Sequence, residues 1–110
     1  VKPKALLRTV RDGEHTYKAL LFVCPGCVAD GHTGVHMLPV QGETGIRARW
    51  DWDGSLAAAT LNPSILTTAG PLRCHSFLRA GVFEFLSDCS HSLAGQHVPM
   101  PDLYDWLLKE

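Results

Sequence analysis

Neither sign of charge prevails in this chain of 110 residues: 10 Lys and Arg face 11 Asp and Glu, a formal net charge of -1. That balance removes the electrostatic case for nucleic acid or an anionic membrane as a partner. Long apolar runs are missing too. Runs such as ALLFV at Ala19–Val23 fall far short of the roughly 20 residues a membrane-crossing helix needs. No secretory signal pattern opens the chain, which reads as cytoplasmic. The glycines lack the Walker and dinucleotide spacings, and no Lys stands where a phosphate cradle requires one. No internal repeat or low-complexity tract is visible. What is present is a hydrophobic fraction of 45%, enough for one folded domain over residues 1–110. In a domain this small an added cross-link contributes heavily to stability.

Four cysteines are the obvious source of one. Cys24 and Cys27 flank Pro25-Gly26, a C-x2-C knuckle whose tight turn lets two thiolates converge on one ion. Cys74 and Cys89 bracket a second segment, CHSFLRAGVFEFLSDC, with His75 and His91 beside them. The spacing favours structural zinc over disulfides.

The pattern predicts a small, mainly antiparallel β domain of the α+β class, stapled by a zinc site and ending in a short helix. Residues 4–11 allow a first strand, Asp12-Gly13 a turn, and Tyr17–Val23 a strand leading into the knuckle. Pro39 restricts VHMLPV to a sheet edge or to no strand. Ile46, Ala48, Trp50 and Trp52 alternate with polar residues and predict a half-buried strand ended by Asp53-Gly54. A loop is expected through LNPSI, then a short strand and a turn at Ala69-Gly70-Pro71. In the tail, Asp102 reads as an N-cap, with Leu103, Trp106 and Leu107 on one helical face.

A two-residue turn at Ala80-Gly81 makes Arg79 oppose Val82, Ser76 oppose Phe85 and His75 oppose Leu86. Side chains alternate with period two, so Cys74, Ser76, Leu78, Phe83 and Phe85 share one face. Cys89 continues that parity, and Cys24, Cys27, Cys74 and Cys89 form a closed four-thiolate set. Sets using His36 or His91 are the alternatives; four protein ligands leave zinc no open position, whereas three plus water would make it catalytic. The opposite face carries His75, with Asp88 just beyond it. An imidazole held by a carboxylate suits general-base work. Ser64 in NPSI is the first choice of nucleophile, Ser76 the second and Thr60 a weaker one; His91 is a second candidate base. The blander reading makes His75 a hydrogen-bonded structural residue and Asp88 a turn cap.

CPGC at Cys24–Cys27, the later His36, WDWDG ending at Gly54, NPSI, CHSF and DCSHSLAGQ together resemble the phage and bacterial domain-of-unknown-function family 6527. The resemblance spans roughly residues 20–100. It implies a zinc-containing peptidase beside bacterial ubiquitin-like conjugation genes, trimming a ubiquitin-like precursor or removing it from a target. It carries Cys24, Cys27, Cys74 and Cys89 as the metal set and points to His36, Ser64, His75, Ser76, Asp88 or His91 as functional. Two further readings stand beside the serine peptidase: a non-catalytic phage-encoded zinc module that binds a host protein, and a metallohydrolase with catalytic zinc. For a peptidase, an extended protein tail is expected to add along an exposed sheet edge.

Overall fold

Alternating side chains and tight turns produce two antiparallel sheets over a shared core. The computed structural model describes residues 2–42, 45 and 48–109. In the first sheet, β1 (Ala5–Asp12), β2 (His15–Val23) and β3 (Val35–Gly42) lie in the order β1-β2-β3. A five-residue helix, α1 (Pro25–Ala29), fills the C-x2-C knuckle between β2 and β3. Pro39 is accommodated on an edge strand, opposite Ala19 where the register slips, so its missing N–H costs little.

The second sheet has the order β4-β5-β6-β7-β8: Asp51–Trp52, Leu61–Ala69, Leu72–Arg79, Val82–Phe85 and His97–Pro99. The turn between β6 and β7 places Ala80 at φ 48 and Gly81 at φ 78, the left-handed pair that a two-residue hairpin turn requires. Its register is the one the sequence predicts, with Ser76 opposite Phe85 and Arg79 opposite Val82. The amide of Leu86 donates to the His75 carbonyl one step further along.

Leu20 and Phe22 of the first sheet pack against Leu61, Ile65, Leu78, Phe83 and Phe85 of the second. The other face of β2, Leu21 and Val23, is covered by Leu103 and Leu107. Because β2 is buried on both sides, it reads as a continuous apolar run rather than an alternating one.

Three expectations change. LNPSI is not a loop before a short strand; it forms the first half of β5, with an irregularity in the pairing to β6 between Leu61 and Ile65. The alternating segment ending at Trp52 is a strand only over Asp51–Trp52, with Ile46 outside the described residues. The C-terminal helix reduces to a single 3-10 turn at Asp105–Leu107, capped by Tyr104 without a side-chain hydrogen bond. Asp102 binds Lys4 instead of capping, and Trp106 is 54% exposed while Leu103 and Leu107 are buried. A segment this short has too few internal hydrogen bonds to hold a helix, and packing onto β2 decides its shape.

Candidate active site and thiol cluster

Period-two alternation along β5 and β6 builds the first half of the site. His75 sits on the solvent-facing side of β6, opposite Leu66 and one residue from the buried Cys74 and Ser76. Ser64 precedes the regular β5–β6 pairing, where the local irregularity carries its side chain beside the imidazole. Ser64 Oγ lies 3.0 Å from His75 Nε2. His75 Nδ1 lies 3.2 Å from Asp88 Oδ2. With Nδ1 protonated against the carboxylate, Nε2 is left to accept the serine hydroxyl proton.

Asp88 is itself held. Arg73 donates to its Oδ2 through Nε at 2.9 Å and places its terminal nitrogen at 2.9 Å from the same oxygen. Arg73 first, and His75 after it, keep this exposed carboxyl below the usual carboxylate range. The loop after β7 is pinned to the strand by Ser90, which exchanges backbone and hydroxyl hydrogen bonds with Arg73 at 2.8 Å.

The other candidates lie elsewhere. Ser76 is 1% exposed on the core face, turned away from His75 by strand parity. Thr60 Oγ1 accepts the Ala80 amide at 2.8 Å, at the hairpin turn. His91 is 5% exposed, with Nε2 3.2 Å from Cys74 Sγ. It is therefore a neighbour of the thiols, not a base for Ser64. His32 pairs loosely with Asp30 at 3.8 Å.

Behind this face the sulfurs converge. Cys24, Cys27 and His36 form one group of possible metal ligands and Cys74, Cys89 and His91 another, each with ligand atoms within 4.8 Å of one another. Cys24 Sγ and Cys74 Sγ are 3.6 Å apart and join the two groups. That is close to the ~3.8 Å edge of a tetrahedron with metal–sulfur bonds of about 2.3 Å. Cys27 Sγ is 3.7 Å from His36 Nε2. The four expected thiols are thus not a free-standing cluster, since both histidines stand among them.

Crowding makes the thiols behave as a set. Cys24 gives up its proton far below the ordinary thiol range, because Cys27 and then Cys74 hydrogen-bond its sulfur. Beside that thiolate, Cys27 is pushed up to about 12 and Cys74 is pushed higher still. A bound cation would relieve the repulsion between neighbouring thiolates, which is the chemistry of a soft-metal site.

Cys89 Sγ accepts the His75 amide at 3.2 Å and lies 3.2 Å from the His75 carbonyl oxygen. His91 Nδ1 accepts the Leu93 amide at 3.2 Å, which leaves the proton of the neutral ring on Nε2, aimed at Cys74. His91 therefore serves the sulfur as a donor. Gly26 makes room for it: a Cβ there would meet His91 Nε2 at 2.4 Å and Phe85 at 2.8 Å. The sequence reading missed this role of Gly26, whose only signal was its place inside the knuckle.

The family model described as bacterial ubiquitination-like system serine protease (BubE) matches residues 1–86. The chain belongs to that family, and the match supports a peptidase role and a link to a ubiquitin-like pathway. The matched stretch includes Ser64 and His75 and ends before Asp88. No curated protein and no solved structure matches the chain.

Proposed function

We propose that this member of the serine protease family cleaves a protein tail in a bacterial ubiquitin-like pathway, with Ser64 as nucleophile, His75 as base and Asp88 as the acid that orients it. The carrying observation is the 3.0 Å approach of Ser64 Oγ to His75 Nε2 on a face open to solvent. Ser64 Oγ attacks the scissile carbonyl carbon while His75 Nε2 takes the hydroxyl proton. His75 then gives that proton to the leaving amine as the C–N bond breaks. Water, deprotonated by the same nitrogen, releases the acyl group and restores the serine. The substrate read here is a ubiquitin-like precursor or conjugate, as membership in a ubiquitination-like system's protease family suggests.

The metal in this reading is zinc, held by Cys24, Cys27 and Cys74 with Cys89 or His36 as fourth donor. When bound it would supply folding energy and neutralise the thiolates. Four protein donors would leave zinc no open position for water or substrate, which argues against zinc as the catalytic centre. Family membership favours the peptidase over a module that only binds a host protein.

A fluorophosphonate probe tests the nucleophile directly. Labelling of the metal-replete chain is expected on Ser64, absent in Ser64→Ala and retained in Ser76→Ala. Full labelling of Ser64→Ala rejects this assignment.

A further inference from the structure

Past Ser64, β5 continues to Ala69 with β6 on one side, while β4 covers only Leu61 and Asn62 on the other. Among the described residues no strand pairs with the outer side of β5 beyond Asn62. In an antiparallel ladder the N–H and C=O of one residue face the same neighbouring strand, and successive residues face opposite ones. The His75 carbonyl accepts the Leu86 amide, so His75 faces away from β5. Cys74 and Ser76 therefore face β5, and their partners Thr67 and Ile65 face β6. Leu66 and Thr68 are left with their backbone groups pointing outward. Ser64 agrees with this parity, for its carbonyl accepts the Trp50 indole N–H at 3.3 Å rather than a bond from β6.

Side chains reinforce the point. Leu66 lies opposite His75, on the face that carries Ser64, and is 51% exposed. An unpaired edge with an exposed apolar residue is a liability unless something binds it. Here the edge runs directly out of the candidate nucleophile, and a protease of a ubiquitination-like system acts on a protein.

We propose that the outer edge of β5 is the substrate-docking strand: an extended protein tail pairs with the backbone of Leu66 and Thr68, lays an apolar side chain on Leu66 and brings its scissile carbonyl to Ser64. This rests on the serine-peptidase reading above. Main-chain pairing supplies the positioning that an open, shallow face does not. Two outward residues span about four residues of tail at ~3.3 Å each, so recognition is short-range and tolerant of side-chain identity away from Leu66.

The test is amide hydrogen exchange, read by NMR on the full metal-replete chain in three states. These are the free protein, the adduct with an alkyl fluorophosphonate, and the adduct with a tetra-alanyl diphenyl phosphonate. In each adduct Ser64 Oγ bonds to phosphorus, fluoride or phenoxide leaves, and His75 takes the hydroxyl proton. Exchange at Leu66 and Thr68 is expected to slow by at least about tenfold in the peptidyl adduct alone, with Ile65 and Thr67 protected in all three. N-methylating the probe's alternate peptide nitrogens should remove that protection in one of the two alternations only.

A peptidyl adduct that leaves Leu66 and Thr68 unchanged overturns the docking edge while the serine reading stands. So does a Ser64 that reacts with the alkyl probe but not with the peptidyl one. Failure of both probes to label Ser64 overturns the serine reading and this proposal with it. Protection already present in the free protein, and lost on dilution, assigns the edge to a second copy of the chain instead.

Discussion

The two faces of β6 differ by a single step along the chain and hold unlike chemistry. Cys74, Ser76 and Leu78 point into the core at 0–2% exposure, whereas Arg73, His75 and Phe77 stand on the other side, with Arg73 exposed and His75 half-buried. On the inner face, buried thiols crowd together, and Cys24 is shifted down while Cys27 and Cys74 are shifted up. On the outer face, water screens the Arg73–Asp88 pair and leaves the imidazole open to a substrate. One strand thus carries the proposed stabilising site and the proposed catalytic site back to back. Cys89, through its contacts with the His75 backbone, couples the two.

The sharpest way to break this comparison is to substitute neighbours. Cys74→Ser is expected to lose bound zinc and cooperative melting together, because structural zinc in small domains carries roughly 10–16 kcal/mol of apparent binding energy. Metal analysis and circular dichroism would show it; an unchanged melt would refute the stapling role. His75→Ala, one residue away, should keep metal and melting temperature while hydrolysis falls by about 10³-fold or more. Equal effects of the two changes on melting would erase the distinction between the faces.

Asp88→Asn should lower kcat by about 10²-fold, less than the loss from His75→Ala, because water already reaches this carboxyl and can help hold the ring. Gly26→Ala probes the inner face alone. Its Cβ would press on His91 and Phe85, costing about 1–3 kcal/mol by overpacking. Thermal unfolding should move down accordingly, while turnover per folded molecule is unchanged. The smallest effect is expected from Arg73→Met, which frees Asp88 without touching His75. A fall in kcat of about two- to fivefold with KM unchanged would fit an exposed ion pair. Steady-state kinetics on a peptide substrate measures both constants.

Much of this arrangement is legible in the residues. Ala80-Gly81 between alternating strands sets the hairpin register, and that register sorts His75 from Cys74 without any knowledge of the rest of the fold. The knuckle is legible because its two cysteines are close in sequence. Less visible is the path of LNPSI: Asn62-Pro63 signals a break in regular structure, yet β4 and β6 flank the segment and extend it as strand. The tail misleads for the same reason. Leu103 and Leu107 have helical spacing, but what they satisfy is the uncovered face of β2. His36 and His91 join the thiols from β3 and from the loop after β7; nearness in sequence to Cys27 and Cys89 marks them as alternative ligands, but only the fold shows that both stand among the sulfurs.

Local sequence determined whatever depends on near neighbours: the turn at Gly81, the alternation along β6, and the tight return between Cys24 and Cys27. Tertiary structure alone decided that Ser64 reaches His75, that Arg73 grips Asp88, and that thiols from two sheets meet within one tetrahedral edge. The physical reason is range. Backbone dihedrals and side-chain parity are set within a few residues, whereas convergence of distant side chains follows from how the two sheets bury their shared core.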